Sequence, residues 1–358
     1  MTFRRILLVR LRQIGDVIFT TPALRALRQR FPDAHITYIV EPAAAPVVAR
    51  NPHINDVVVA PKKSPLLQLV SDLELARTLQ SSRYDLAIDF HGGPRSSLLT
   101  WLSGAPVRIG YQVAGRGWMY TRRVPRPREL RARHSVENQW DLLRALDFPD
   151  PDRSAFPVEM PIDPAASRSV DERLAHAGIE NGDRLIVIHV SAGNPFRRWP
   201  IESFVELVRE LAAAGPDRRI ILTSGPSDQG AVSRVIAGAR ARLDEAGGRR
   251  IVPCGDFSLA ELRAVLERSS LYIGGDSGPL HVAATTAVPV VALYGPTLPA
   301  RSSPWRAATF AAEAVEVGDL PCRPCDQRVC APGDFRCLTT IRPGQVVEAA
   351  ERALRYAG

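Results

Sequence analysis

At 358 residues the chain is long for a single core, so two domains are expected. With 45% hydrophobic and 23% charged residues it has the balance of a soluble globular protein, and no apolar run reaches the ~20 residues that a membrane span needs. The formal charge of +8 favours anionic partners such as phosphorylated sugars or anionic lipid surfaces; no nucleic-acid motif is present, aromatics are only 6%, and nucleic acid is therefore not expected as a partner.

Residues 5–11 read as a first strand, apolar as a buried parallel strand is. Arg10 and Arg12 cut the run too short for a signal peptide, so a cytoplasmic chain is expected. Gln13-Ile14-Gly15-Asp16 then leads into a helix pattern over 17–30. The turn lacks GxGxxG, which argues against a dinucleotide fingerprint. What it presents is Asp16, at the carboxyl end of a parallel strand, where open α/β sheets bind ligands. The same carboxylate is also suited to capping the helix. Strands are expected at 35–40, 56–60, 85–90 and 108–111, with helices at 66–80 and 95–102, which makes a doubly wound parallel sheet. Lys62 and Lys63, the only lysines, follow one strand end, and His91-Gly92-Gly93 follows another. Over 115–133 the pattern breaks. Arg116, Arg122, Arg123, Arg126, Arg128, Arg131 and Arg133 crowd there with Trp118 and Tyr120. Two readings stand: a solvated loop, or a cradle for a polyanionic acceptor. A helix over 134–146 closes a first domain at 1–150.

Residues 151–164, rich in Pro and Asp, read as the interdomain linker, and 165–342 as a second α/β domain. Its strands are expected at 185–190, 219–223 and 249–253, with helices at 165–177, 201–214, 230–246 and 258–268. Ser191-Ala192-Gly193 and Ser224-Gly225-Pro226-Ser227-Asp228 follow two of those strand ends. The stretch 271–297, LYIGGDSGPLHVAATTAVPVVALYGPT, is strand, glycine turn, helix start and second strand. Free N–H groups and the helix dipole make such a turn an anion site, and Pro279 suits a first helical turn. An ordinary crossover with a capped helix gives the same pattern. Of five cysteines, Cys322, Cys325, Cys330 and Cys337 cluster as C-x2-C-x4-C-x6-C, either as reduced thiols in a surface loop or as a structural metal site.

GDVIFTTPALRALRQRFP, SAGNPFRRWP, GGDSGPLHVAATTAVPVVALYGPT and PCRPCDQRVCAPGDFRC, in that order and spacing, resemble glycosyltransferase family 9, the ADP-heptose–lipopolysaccharide heptosyltransferases. The resemblance covers nearly the whole chain. It implies a GT-B fold: two Rossmann-like domains facing across a cleft, acceptor on the first and nucleotide sugar on the second. A helix at 343–358 is then expected to return and brace the first domain. It implies Asp16 as general base, since an attacking sugar hydroxyl must lose a proton. It implies a donor site of Ser191, Gly193, Arg197, Asp228, Phe257, Asp276, Ser277, Gly278 and His281. Arg197 departs from the lysine that the family usually carries two residues before the tryptophan of RWP, and the two cations differ in geometry. Lys62, Lys63, Arg116, Arg122 and Arg123 are expected to hold the acceptor, a lipopolysaccharide core or other anionic glycan at the inner membrane face. Inverting transfer without a metal or other cofactor, by a monomer using ADP-heptose, is the expectation. A sugar-nucleotide 2-epimerase and a non-catalytic binder of sugar nucleotide or anionic glycan remain as alternatives.

Overall fold

The computed structural model describes residues 2–126, 133–180, 182–225 and 228–355. Arg128, Arg131, Pro226, Ser227 and positions 356–358 of the last foreseen helix lie outside the described residues. Two compact units make up the chain, Met1–Pro161 and Ile162–Gly358. No helix among the described residues is long and apolar enough to cross a membrane.

The first unit is built on six parallel strands: β1 (Arg5–Val9), β2 (His35–Val40), β3 (Asp56–Val59), β4 (Leu86–Asp89), β5 (Val107–Gln112) and β6 (Arg122–Pro125). Their order is β3-β2-β1-β4-β5-β6, that of a Rossmann sheet, with its switch point between β1 and β4. Ile6, Leu7, Leu8 and Val9 are wholly buried, as a strand covered on both faces requires.

The helix foreseen at 17–30 is two helices, Ile14–Ile18 and Thr21–Arg30. Thr20 and Thr21 turn their hydroxyls back onto the carbonyls of Val17 and Ile18, each at 2.7 Å, and Pro22 offers no N–H to a continuous ladder. Asp16 therefore sits inside the short first helix. The stretch after residue 115 is structured over its described part: a single turn at Gly117–Met119 leads into edge strand β6. Tyr120 lies against Gly110 of β5, where a Cβ would come within 2.3 Å of its ring. Finally, the first ten or so residues of the foreseen linker belong to the first unit. Phe156 packs on Trp140 with ring centroids 5.2 Å apart, and Val158 and Met160 are buried. The Glu159 N–H donates to Thr21 Oγ1 at 2.8 Å, while its carboxylate pairs with Arg25 and lies 3.3 Å from His53 Nε2. The boundary at Pro161 lies inside 151–164 but eleven residues later than the foreseen domain end at 150.

The second unit has five parallel strands, β7 (Arg184–His189), β8 (Arg218–Thr223), β9 (Leu271–Gly275), β10 (Val290–Tyr294) and β11 (Ala312–Glu316), in the order β11-β10-β9-β7-β8. The strand foreseen at 249–253 shrinks to one parallel bridge, Ile251 on Ile220, with Ile220 N–H donating to Arg250 O and Val252 N–H to Ile220 O at 2.8 Å each. Pro253 ends it, having no N–H to continue the ladder. Counting that bridge as a vestigial strand beyond β8, the Rossmann order repeats. The last helix, Pro343–Arg355, packs into the core of its own unit. Its apolar face, Val346, Ala349, Ala350, Ala353 and Leu354, is taken up in the second unit's core with Leu207, Leu211, Leu293 and Val315. Glu351 fixes it through two hydrogen bonds from Arg218, at 2.8 and 3.0 Å.

Arginines fasten many of the loops. Arg28 donates to the carbonyls of Pro32, Ala34 and His53 and to Asn55. Arg306, buried, donates to the carbonyls of Thr286 and Ala311, and burial lowers it to about 10. Arg323 bridges the carbonyls of Val317 and Thr297 and the carboxylate of Glu316.

Candidate active site

In the first unit the polar residues gather past β1 and β4. Arg10, the residue after β1, donates through Nη1 to Phe90 O at 2.5 Å and pairs through Nη2 with Asp16 Oδ2 at 2.5 Å. Gln139 Nε2 holds the Asp16 carbonyl at 3.1 Å. The Asp16 side chain is 39% exposed, and its Oδ1 has no partner among the described residues. The carboxylate is thus held by one oxygen and open at the other. At the end of β4, Asp89 is wholly buried. Its Oδ1 accepts from the N–H of His91 (2.8 Å) and Gly92 (2.9 Å), and its Oδ2 from Ser96 Oγ (3.0 Å) and Tyr120 OH (2.6 Å). Gly92 takes φ +65°, which suits a glycine in this turn. Burial, then the Arg10 charge, lowers the His91 imidazole below its ordinary value against the opposing pull of Asp89 and Asp16. Sequence reasoning noted His91 only by position and missed Arg10 and Asp89. Their signal was polar side chains at the ends of apolar strands.

Arg116 and Arg123 do meet, with Arg126 and Trp118, around a cavity of about 620 Å³. Arg122 is not in its lining. Neighbours on a strand face opposite sides, and the Arg122 Nη1 donates to Ala145 O at 2.7 Å instead. Lys62 and Lys63 are exposed beyond β3 and are likewise not part of that lining.

In the second unit Asp276 follows β9 and is 3% exposed. Its Oδ2 accepts from Thr297 Oγ1 at 2.6 Å and lies 3.3 Å from Arg197 Nη1; its Oδ1 lies 3.5 Å from His281 Nε2. Burial alone would raise this carboxyl, but His281, Arg197 and Thr297 outweigh it and hold it well below the usual carboxylate range. Asp276 and His281 thus form a buried anchor for Arg197. Arg197 also donates from Nη1 to Asp276 O (2.9 Å) and from Nε to Gln327 Oε1 (2.7 Å), which leaves Nη2 without a partner among the described residues. Ser277 Oγ, at the start of helix Gly278–Ala283, and Ser224 Oγ past β8 are buried hydroxyls with no partner among the described residues. Such orphans fit an incoming polar ligand.

The remaining foreseen residues are placed at the same carboxyl ends. Ser191 Oγ accepts from Gly225 N–H at 2.7 Å and lies 3.2 Å from His189 Nε2, so it ties the end of β7 to that of β8. Gly193 is exposed with open space around it. Asp228 pairs with Arg198 at 3.1 Å. Phe257 carries the Arg173 guanidinium over its ring, 4.1 Å from the centroid. Cys337 is buried; Cys322, Cys325 and Cys330 are half-buried free thiols. Among the described residues no three His, Cys, Asp or Glu side chains are placed to hold a metal.

Two Rossmann-like units, one presenting an open carboxylate and the other a buttressed arginine with orphaned hydroxyls, are the parts of the GT-B glycosyltransferase class. The sequence model described as "Glycosyltransferase family 9 (heptosyltransferase)" matches residues 73–334, and the chain belongs to that family. It is 27% identical to lipopolysaccharide heptosyltransferase 3 of Escherichia coli over 95% of this chain and 96% of that one. Among solved structures, a family 9 glycosyl transferase from Veillonella parvula superposes with a TM-score of 0.87 at 28% identity, covering 99% and 98% of the two chains. The E. coli ADP-heptose lps heptosyltransferase II has the same fold, with a TM-score of 0.76 at 21% identity over 98% of each chain.

Proposed function

We propose that this glycosyltransferase moves a heptose from ADP-heptose to a lipopolysaccharide-core acceptor, inverting the anomeric centre and using no metal. The observation that carries the reading is Arg197, locked by Asp276 with Nη2 left open, together with the orphaned hydroxyl of Ser277, the residue after Asp276. The names of the relatives support the choice of donor and acceptor.

In this mechanism Asp16 Oδ1 takes the proton of the acceptor hydroxyl as its oxygen attacks the anomeric carbon. The bond from that carbon to the diphosphate oxygen breaks, and ADP leaves with the electron pair. Attack opposite the leaving group inverts the centre. Negative charge grows on the departing phosphate, where Arg197 Nη2, the Ser277 hydroxyl and the backbone N–H groups of Ser277 and Gly278 offset it. Asp228 and Phe257 are assigned to ribose and adenine, and Ser191 and Gly193 line the same site. His281 and Asp276 act by fixing Arg197. Arg116 and Arg123, with Arg126, hold an acidic or phosphorylated acceptor sugar, and Lys62 and Lys63 extend that positive edge. The enzyme works as a monomer at the inner membrane face. Leu67, Val70 and Leu73, exposed on one side of helix Pro65–Ser81 close after the two lysines, support that placement.

Replacing Asp16 by Ala tests the base: ADP binding is retained and turnover falls about 10²–10⁴-fold. Retained turnover removes Asp16 from the role. A thermal-shift series with ADP-, UDP- and GDP-sugars tests the donor, and a shift with UDP-sugars alone overturns ADP-heptose. Donor incubated without acceptor gives slow hydrolysis at most; an epimerised donor overturns transfer as the activity.

A further inference from the structure

Gln327 lies in the cysteine-bearing stretch, to which the proposed reaction gives no role. Its Oε1 accepts from Arg197 Nε at 2.7 Å and from Asn194 Nδ2 at 2.9 Å. Two donors converge on that oxygen, which fixes the orientation of the amide. Arg197 Nη1 is meanwhile tied to the Asp276 carbonyl. A guanidinium is a rigid plane with five N–H groups. Holding Nε on one side and Nη1 on the other sets the direction of Nη2. A lysine in place of Arg197 would offer no Nε edge for such a grip, so the amide fits an arginine at this position.

The stretch around Gln327 is itself fastened to the site. Cys325 N–H donates to Pro296 O at 3.2 Å, and Arg323 Nη2 to Thr297 O at 2.8 Å. Thr297 is the residue whose hydroxyl binds Asp276. Phe335 meets Phe196, the neighbour of Arg197, edge to face at 5.3 Å. Gln327 takes φ +59°, an uncommon conformation for a residue with a Cβ.

We infer that Gln327 is a positioning residue of the donor site, aiming the Arg197 guanidinium at the diphosphate of the bound nucleotide. The inference rests on Arg197 being the diphosphate-binding cation. Calorimetric titration of the full chain with ADP tests both. Gln327→Ala weakens ADP binding about tenfold, the scale of one charge-assisted hydrogen bond. In an Arg197→Ala background the same change has no further effect, because Gln327 acts only through Arg197. Gln327→Glu keeps the shape and the acceptor oxygen but sets a negative charge against Arg197. It weakens ADP at least as much as Ala does, more so at low salt. A purely structural role predicts additive losses in the double variant. That result, or wild-type affinity in Gln327→Ala, overturns the inference. Normal ADP binding by Arg197→Ala overturns the donor-site reading itself, and Gln327 falls with it.

Discussion

His189 ends β7, fully desolvated, with Nδ1 2.9 Å from Thr223 Oγ1 and Nε2 3.2 Å from Ser191 Oγ. Burial lowers its pKa from 6.5 to about 4. The folded value lies below the unfolded one, so between those values the unfolded chain binds more protons. Stability is then full above about pH 6.5 and declines as the pH falls towards 4. At pH 5 the linkage relation gives a loss of about 2 kcal/mol relative to pH 8. For a unit of this size that lowers the melting temperature by about 4–8 °C. His189→Asn keeps a hydrogen-bonding side chain but cannot titrate. Its melting temperature, followed by differential scanning fluorimetry, should therefore vary much less between pH 8 and pH 5, whatever its absolute value. The Asp276 carboxylate, held low, loses its contribution only below about pH 4, and the pH dependence left in the Asn variant comes from His91 and His53 of the first unit, both lowered by burial. If the Asn variant follows the wild-type pH profile, burial of His189 is not the source of the acid sensitivity.

Gly110→Ala drives a Cβ into the Tyr120 ring and breaks the Tyr120–Asp89 hydrogen bond, at a cost of about 2–4 kcal/mol in denaturant titrations. Tyr120→Phe costs about 1–2 kcal/mol by losing the hydroxyl's bonds to Asp89 and Ser97, and the double variant falls short of the sum. Arg123→Glu raises the acceptor KM about tenfold or more and leaves ADP affinity unchanged. Arg122→Ala lowers the melting temperature with little change in acceptor KM, since Arg122 holds Ala145 O.

Most strands were legible because buried parallel strands are continuous apolar runs, several of them followed by Gly, Ser or Asp; the edge strands β6 (RRVP) and β11 (AEAVE) lack such a run and were not foreseen. Asp16, Asp276 and Arg197 could be found from those ends and from the family motifs. Their partners could not. The Arg10–Asp16 pair joins a strand end to the short helix after it, and the Asp89–Tyr120 bond spans 31 residues. Gln327 reaches Arg197 across 130 residues. Periodicity reports which face of an element is apolar, not which distant side chain faces it. The packing of the last helix was hidden for the same reason. Its apolar face is plain in the sequence, but the surface that covers it is set by Leu207, Leu211 and Val315 far upstream. The split of residues 14–30 turned on two threonine hydroxyls that bond backwards, and the vestigial strand on one proline. Single residues of this kind decide the ends of elements once the apolar pattern has chosen their type.

The arginine staples change the meaning of the +8 charge. Arg28, Arg306 and Arg323 face carbonyl oxygens of their own loops, so part of the formal charge cross-links backbone and presents little field to a passing anion. One planar cation reaches two or three carbonyls in fixed directions; an ammonium group on a flexible stem does not. Charge-conserving drift from arginine to lysine is therefore open on the surface and closed at these staples. Wherever a loop is tied down by a guanidinium, the codon is held by the architecture.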